Sequence, residues 1–224
     1  MSSDLKPVYE KLDEDTFENR IKNNFIRTHI TLFSIIQGVA FALFMFNVFD
    51  YLRSPNFHNE WLEFAPFPFI SFTAIIIISC EYMWFIGLFS WPTRIRDHLT
   101  PFLIGFFEAC PMFFFSNPHM WWFCMILLGI GGAVASLNIM LDARRVKFTD
   151  NTSAYKTIII QLWWNISFCT AVFIVSFFAW IYFQVLDDAV KYLLLAMIFI
   201  LEIVMLWRGD IYMKKLHEAF GFKR

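Results

Sequence analysis

The sequence predicts an all-α, polytopic membrane protein with six transmembrane helices and both termini cytoplasmic. The chain is 58% hydrophobic and 21% aromatic, with 30 phenylalanines and a mean hydropathy of +0.55, whereas soluble domains hold about 45–50% apolar residues. Its apolar residues fall in runs of ~18 or more, enough to cross ~30 Å of hydrocarbon as helix at ~1.5 Å per residue. The runs lack the alternation of a membrane β-barrel strand. Charge placement supports the same count. With the amino terminus inside, every Lys and Arg except Arg53 and Lys191 falls on the cytoplasmic side, as orientation in a bilayer requires.

The first segment, 1–25, is a polar, acidic cytoplasmic tail without the charged and apolar regions of a cleaved signal, so the first span is expected to stay in the mature protein. Within it Asp15 and Glu18 have capping-box spacing, and Phe17, Ile21 and Phe25 follow at i, i+4, i+8. This predicts either a short helix on the inner surface or an extension of the first span. The membrane domain, 26–207, comprises spans at Ile26–Asp50, Phe64–Phe89, Leu99–Ser116, His119–Leu141, Thr157–Leu186 and Ala189–Trp207. The turns "SNPH" (Ser116–His119) and "LDDAVK" (Leu186–Lys191) are brief and imply antiparallel hairpins. The outside loop from Tyr51 to Phe64 is too small for a receptor domain. Residues 208–224 read as a basic cytoplasmic helix stopping near Gly221, either projecting toward a partner or simply solvated.

Tryptophans mark the boundaries. Trp61, Trp121, Trp122 and Trp180 fall near outer ends, and Trp91, Trp163, Trp164 and Trp207 near inner ends, where an apolar ring with a donor N–H suits the headgroup region. Only Trp84 sits deep.

Three acids interrupt the spans. An ionised group facing lipid costs about 2.5–3.5 kcal/mol on insertion scales, so each is expected to face inward. Glu81 in "IIIISCEYMWFIGLF" and Glu108 in "LIGFFEACPMFFF" lie at matching distances from the loop around Arg94, which places them at one depth. That predicts a shared-proton pair, part of an acidic ring on a cation path, or a structural lock between helices. Glu202 is read nearer the inner face, within reach of water. Gln37, Asn47 and Asn138, and the pair Gln161 and Asn165 four apart on one face, read as interhelical hydrogen-bonding groups or vestibule lining. Gly129, Gly132, Ala133 and Ser136 form a narrow face without bulk, a close-contact signal within the fold or between subunits. Pro111 lacks a backbone N–H and predicts a kink just past Glu108.

Catalytic signatures are missing: no HExxH, no Walker loop, no GxSxG. The five histidines, His29, His58, His98, His119 and His217, lack metal-ligand spacing. Cys80, Cys110, Cys124 and Cys169 all lie within spans and read as small hydrophobes. We therefore expect no enzyme, metal or cofactor, and orientation accounts for the basic residues without nucleic acid.

The first span, "RTHITLFSIIQGVAFALF", has Arg27, Phe33-Ser34 and Gln37-Gly38-Val39. It resembles the opening of the six-helix potassium channels of lysosomes and bacteria that lack the usual selectivity-filter loop, where an Arg precedes a Phe-Ser-Asp-Gly-Val run. Pro111 and the basic "DARR" (Asp142–Arg145) also fall where such proteins have similar residues. The Asp is absent here, two residues interrupt the run, and the last two spans match nothing specific. The resemblance implies an oligomeric cation channel with its first span near the pore.

Two functions follow as expectations. One is a homo-oligomeric pore or small transporter for ions or protons in a cell membrane (a bacterial inner membrane or equivalent), with Glu81, Glu108, Glu202 and Gln37 in or beside the path. The other is a membrane-embedded sensor or scaffold whose terminal tails hold a cytosolic protein partner, as in bacterial anti-phage or stress systems.

Overall fold

A computed structural model describes residues 14–53, 63–88, 95–145 and 151–221. Trp61, Trp91, Arg94 and Lys147 lie outside the described residues, as do 1–13 and 222–224.

All regular structure among the described residues is α-helical: α1 (Glu14–Leu52), α2 (Pro66–Leu88), α3 (Ile95–Phe114), α4 (Pro118–Arg145), α5 (Thr152–Tyr182) and α6 (Asp188–Ala219). Five of these are long and apolar enough to cross a membrane, which fits an integral membrane protein. The exception is α3, whose apolar stretch is limited to Phe102–Phe114. α1 is unbroken, so the acidic segment from Glu14 continues the helix that holds the first apolar span, and Asp15 falls inside its first turn.

The hairpins form as their turn residues dictate. Phe115, Ser116 and Asn117 link α3 to α4; Asn117 N–H donates to Phe114 C=O at 2.9 Å, and the Asn117 side chain accepts from Met120 N–H at 3.2 Å. This satisfies an otherwise orphaned helix-start donor. Asn151 caps α5 in the same way, accepting from Ala154 N–H at 3.1 Å. α6 starts after Asp187, with Lys191 paired to Asp188 at 3.0 Å and lying over the Phe183 ring. It ends where Gly221 takes φ +75°, a left-handed conformation that favours glycine; the expected stop at Gly221 is observed.

The helices close a ring. α1 lies against α2 and α3, α3 against α4, α4 against α5, α5 against α6, and α6 back against α2, which also touches α3. α1 is the peripheral member, with 11% of its apolar window buried against 39% for α2.

Two apolar cores fill the two ends. Near the 115–117 and 183–187 turns, Phe67, Ile70, Phe115, Trp121, Trp122, Met125, Val172, Ala179 and Ile198 pack together. This corrects the boundary reading of Trp121 and Trp122, which are 0% and 1% exposed. The short turn feeds them straight into the bundle, where Trp121 Nε1 donates to Ser71 Oγ at 2.8 Å, so the buried indole keeps a polar partner. At the opposite, basic end, Met140, Ala143, Ala154, Ile158, Leu162, Tyr212 and Leu216 form the second core. Asn151 Nδ2 donates to Ala219 C=O at 2.6 Å there. The end of α6 therefore packs on its own chain instead of projecting as a free helix.

The small-residue face lies inside the fold. A Cβ on Gly129 would stand 2.9 Å from Cys169 O and Phe173 N on α5, and one on Gly132 2.6 Å from Cys169 Sγ. The contacts at Gly129 are with backbone, which has no side-chain torsion to relax, so α4 and α5 approach this closely there only because the position is glycine. Ser136 on the same face is buried and Ala133 partly so. Pro111 sits in the last turn of α3, which stays helical through it to Phe114 although the proline lacks a backbone N–H. Asn138 is exposed and makes no interhelical hydrogen bond among the described residues.

Candidate functional site

Between the two apolar cores lies a layer of polar side chains, divided in two by α2. On one side, Gln37 of α1 spans a pair of helices: its Nε2 donates to Glu108 Oε2 at 2.6 Å, and its Oε1 accepts from Ser79 Oγ at 3.0 Å. Phe33 stacks on Tyr82 with ring centroids 4.0 Å apart, and Gly105 admits Ile36 against α3. Both contacts hold α1 close enough for the amide to reach across. Glu108 is 0% exposed, and its Oε1 has no protein partner. Asn47, two to three turns along α1, donates to Met112 C=O at 3.2 Å and ties the same pair of helices again.

On the other side, Glu81 turns toward α5. Its Oε1 accepts from Gln161 Nε2 at 3.2 Å and its Oε2 from Asn165 Nδ2 at 2.7 Å, while Gln161 Nε2 also donates to Asn165 Oδ1 at 3.0 Å. One helical turn separates the two amides, so a single carboxylate meets both. Tyr212 of α6 packs in the basic-end core with Ile158 and Leu162 of α5, which lie on either side of Gln161 in the chain. Trp84 closes the site toward the basic end; its ring rests where a side chain on Gly209 would be, and stands 6.0 Å from the Tyr212 ring.

Glu81 and Glu108 are thus level but do not pair. Ser79 and Glu81 are two residues apart, about 200° around the helix at 3.6 residues per turn, so one faces Gln37 and Glu108 while the other faces α5. Equal depth is a matter of chain length, whereas pairing depends on helix rotation. Glu202 is buried at 2% exposure, with Oε2 unpartnered. It therefore lies inside the bundle and not at a watery boundary. Among the described residues no Lys or Arg forms a salt bridge with Glu81, Glu108 or Glu202. Arg208 instead lies over the Trp164 ring at 4.7 Å.

Gln161 and Asn165 were legible as a same-face pair, and the structure makes them interhelical donors. Ser79 and Tyr212 carried no signal of their own: each reads as one more residue of an apolar run or a helix end. No group of three or more His, Cys, Asp or Glu among the described residues has the arrangement of a metal site, and the four cysteines are free. Comparison with protein-family models, curated proteins and solved structures finds no match.

Proposed function

We propose that the protein is a six-crossing membrane protein, with both ends cytoplasmic, that moves protons or small cations rather than catalysing a reaction. In this reading Glu81 and Glu108 are the groups that exchange charge, Gln37 couples α1 to Glu108, and the chain works as a homo-oligomer with the peripheral α1 toward its neighbours. The observation that carries it is the burial of Glu108 at 0% exposure with a single N–H partner and one oxygen unpartnered. A purely structural lock would gain by satisfying both oxygens, because a buried polar atom left without a partner costs roughly 1–3 kcal/mol. The likeness of the first span to potassium channels points the same way, since Gln37 lies in the stretch that carries it.

The scaffold alternative has less support. The apolar side of the α6 end is occupied by α4 and α5 of the same chain, which leaves Lys214 and Lys215 as its exposed basic face.

The test is flux. Purified protein in liposomes under a cation gradient, with an entrapped pH-sensitive dye, is expected to pass protons or cations faster than protein-free vesicles. Glu108→Gln is expected to slow that flux by roughly tenfold or more, because an amide cannot exchange the charge that a proton-transferring acid carries. Wild-type vesicles no leakier than empty ones reject the reading.

A further inference from the structure

We propose that Arg208 and Trp164, on the outer surface where α5 meets α6, bind the phosphate of an anionic phospholipid at the basic end of the bundle. The proposal rests on the membrane orientation given above and is independent of transport. Its test reads lipid binding in detergent, so absent flux leaves this site standing and absent binding leaves the flux reading standing.

Depth puts the pair at a membrane boundary. Arg208 follows the start of α6 at Asp188 by 20 residues, and Trp164 precedes the end of α5 at Tyr182 by 18. Both therefore lie about 27–30 Å from the 183–187 turn at ~1.5 Å per residue, close to the thickness of the hydrocarbon layer. Trp163, Trp164 and Trp207 are exposed at this level, as a belt of indoles at the headgroups is. The arginine is held in place among them. Its guanidinium carbon lies over the Trp164 ring, 4.7 Å from the centroid, which orients the planar fork. Nε is enclosed without a partner, while the two terminal nitrogens make no hydrogen bond among the described residues and stay accessible. No carboxylate among the described residues forms a salt bridge with Arg208; the exposed acid nearest to it along α6, Asp210, is taken by Lys214.

The surroundings select a lipid. Val204 and Ile200, one and two turns back from Arg208, are exposed apolar side chains running toward the membrane interior, the course of an acyl chain. In the other direction lie Lys215, seven positions on along the same face of α6, and Lys156, about two turns before Trp164 on α5. Both are exposed, and neither forms a salt bridge among the described residues. The surface thus runs from apolar to aromatic to Arg to Lys, the order in which a lipid presents chain, interface and anionic head. The fork of Arg208 suits two phosphate oxygens at once, the geometry of the strongest charge-assisted pairs. A choline headgroup would bring its own cation toward the two lysines, whereas an anionic headgroup brings none. The occupant is therefore a phospholipid of net negative charge, the kind that basic pockets between spans take on the cytoplasmic side.

Thermal unfolding of the purified full chain in detergent tests the site. Tm is measured against increasing mole fractions of dioleoyl phosphatidylglycerol or dioleoyl phosphatidylcholine at constant ionic strength. Phosphatidylglycerol is expected to raise Tm saturably above the phosphatidylcholine baseline, as a ligand of the native state does. Arg208→Gln is expected to weaken the apparent affinity by roughly tenfold or more, the size of a lost charge-assisted pair. Lys214→Gln removes the same charge from a side chain already bonded to Asp210 and should leave the affinity nearly unchanged. Arg208→Lys keeps the charge but gives up the fork and the stack, so a weakening of several-fold is expected. Equal shifts from the two lipids overturn the proposal, as does an affinity retained in Arg208→Gln. Equal losses in Arg208→Gln and Lys214→Gln also overturn it, because they mark an attraction spread over the whole basic end. If Arg208→Gln does not fold, Arg208→Lys decides, and an unchanged affinity there overturns the proposal.

Discussion

Glu81 and Glu108 occupy neighbouring helices at almost the same level, but they sit in unlike surroundings. Glu81 is partly buried and has an amide donor for each oxygen, both from one turn of α5. Glu108 is completely buried and has one donor, from a helix that otherwise lies at the edge of the ring. One acid is thus held by two donors of α5, while the other depends on a single donor of α1. Any motion of α1 relative to α3 changes the surroundings of Glu108 directly and those of Glu81 only through α2.

The contrast can be broken by removing the donors. Gln37→Ala strips Glu108 of its partner and leaves Ser79 without its acceptor. The expected loss is about 2–3 kcal/mol of unfolding free energy, near the upper end for an unsatisfied buried polar group. Asn165→Ala leaves Glu81 still bonded to Gln161, and the expected loss is about 1 kcal/mol, in line with single hydrogen bonds between membrane helices. Both are measurable by reversible unfolding in mixed micelles. If Asn165→Ala proves the more damaging, the assignment of Glu108 as the less supported acid is reversed.

The same contrast shows what could be read from residues alone. Helix positions, the hairpin turns and the stop at Gly221 follow from apolar run length and turn chemistry, which are local. The common depth of the two acids was also legible, because helical rise fixes depth from a residue count. Rotation was not. Ser79 and Glu81 differ by two positions and face opposite ways, and nothing in "IIIISCEYMW" says which face meets which neighbour. Trp121 and Trp122 misled for a related reason: an indole near a helix end suits a lipid boundary, but both rings are buried in the core, where Ser71 on another helix gives the Trp121 N–H a partner. The glycines of α4 signalled close approach correctly, and only the structure identifies α5 as the element approached.

The central claim is that α2 separates two independent acidic sites. A double-mutant cycle with Glu81→Gln, Glu108→Gln and the combined variant, read as unfolding free energy in mixed micelles, tests it most directly. Groups without shared partners add to within about 0.5 kcal/mol, so the predicted interaction energy is no larger than that. An interaction above about 1 kcal/mol, of the size expected between residues in direct contact, would contradict the account and restore the two carboxylates as a single coupled pair.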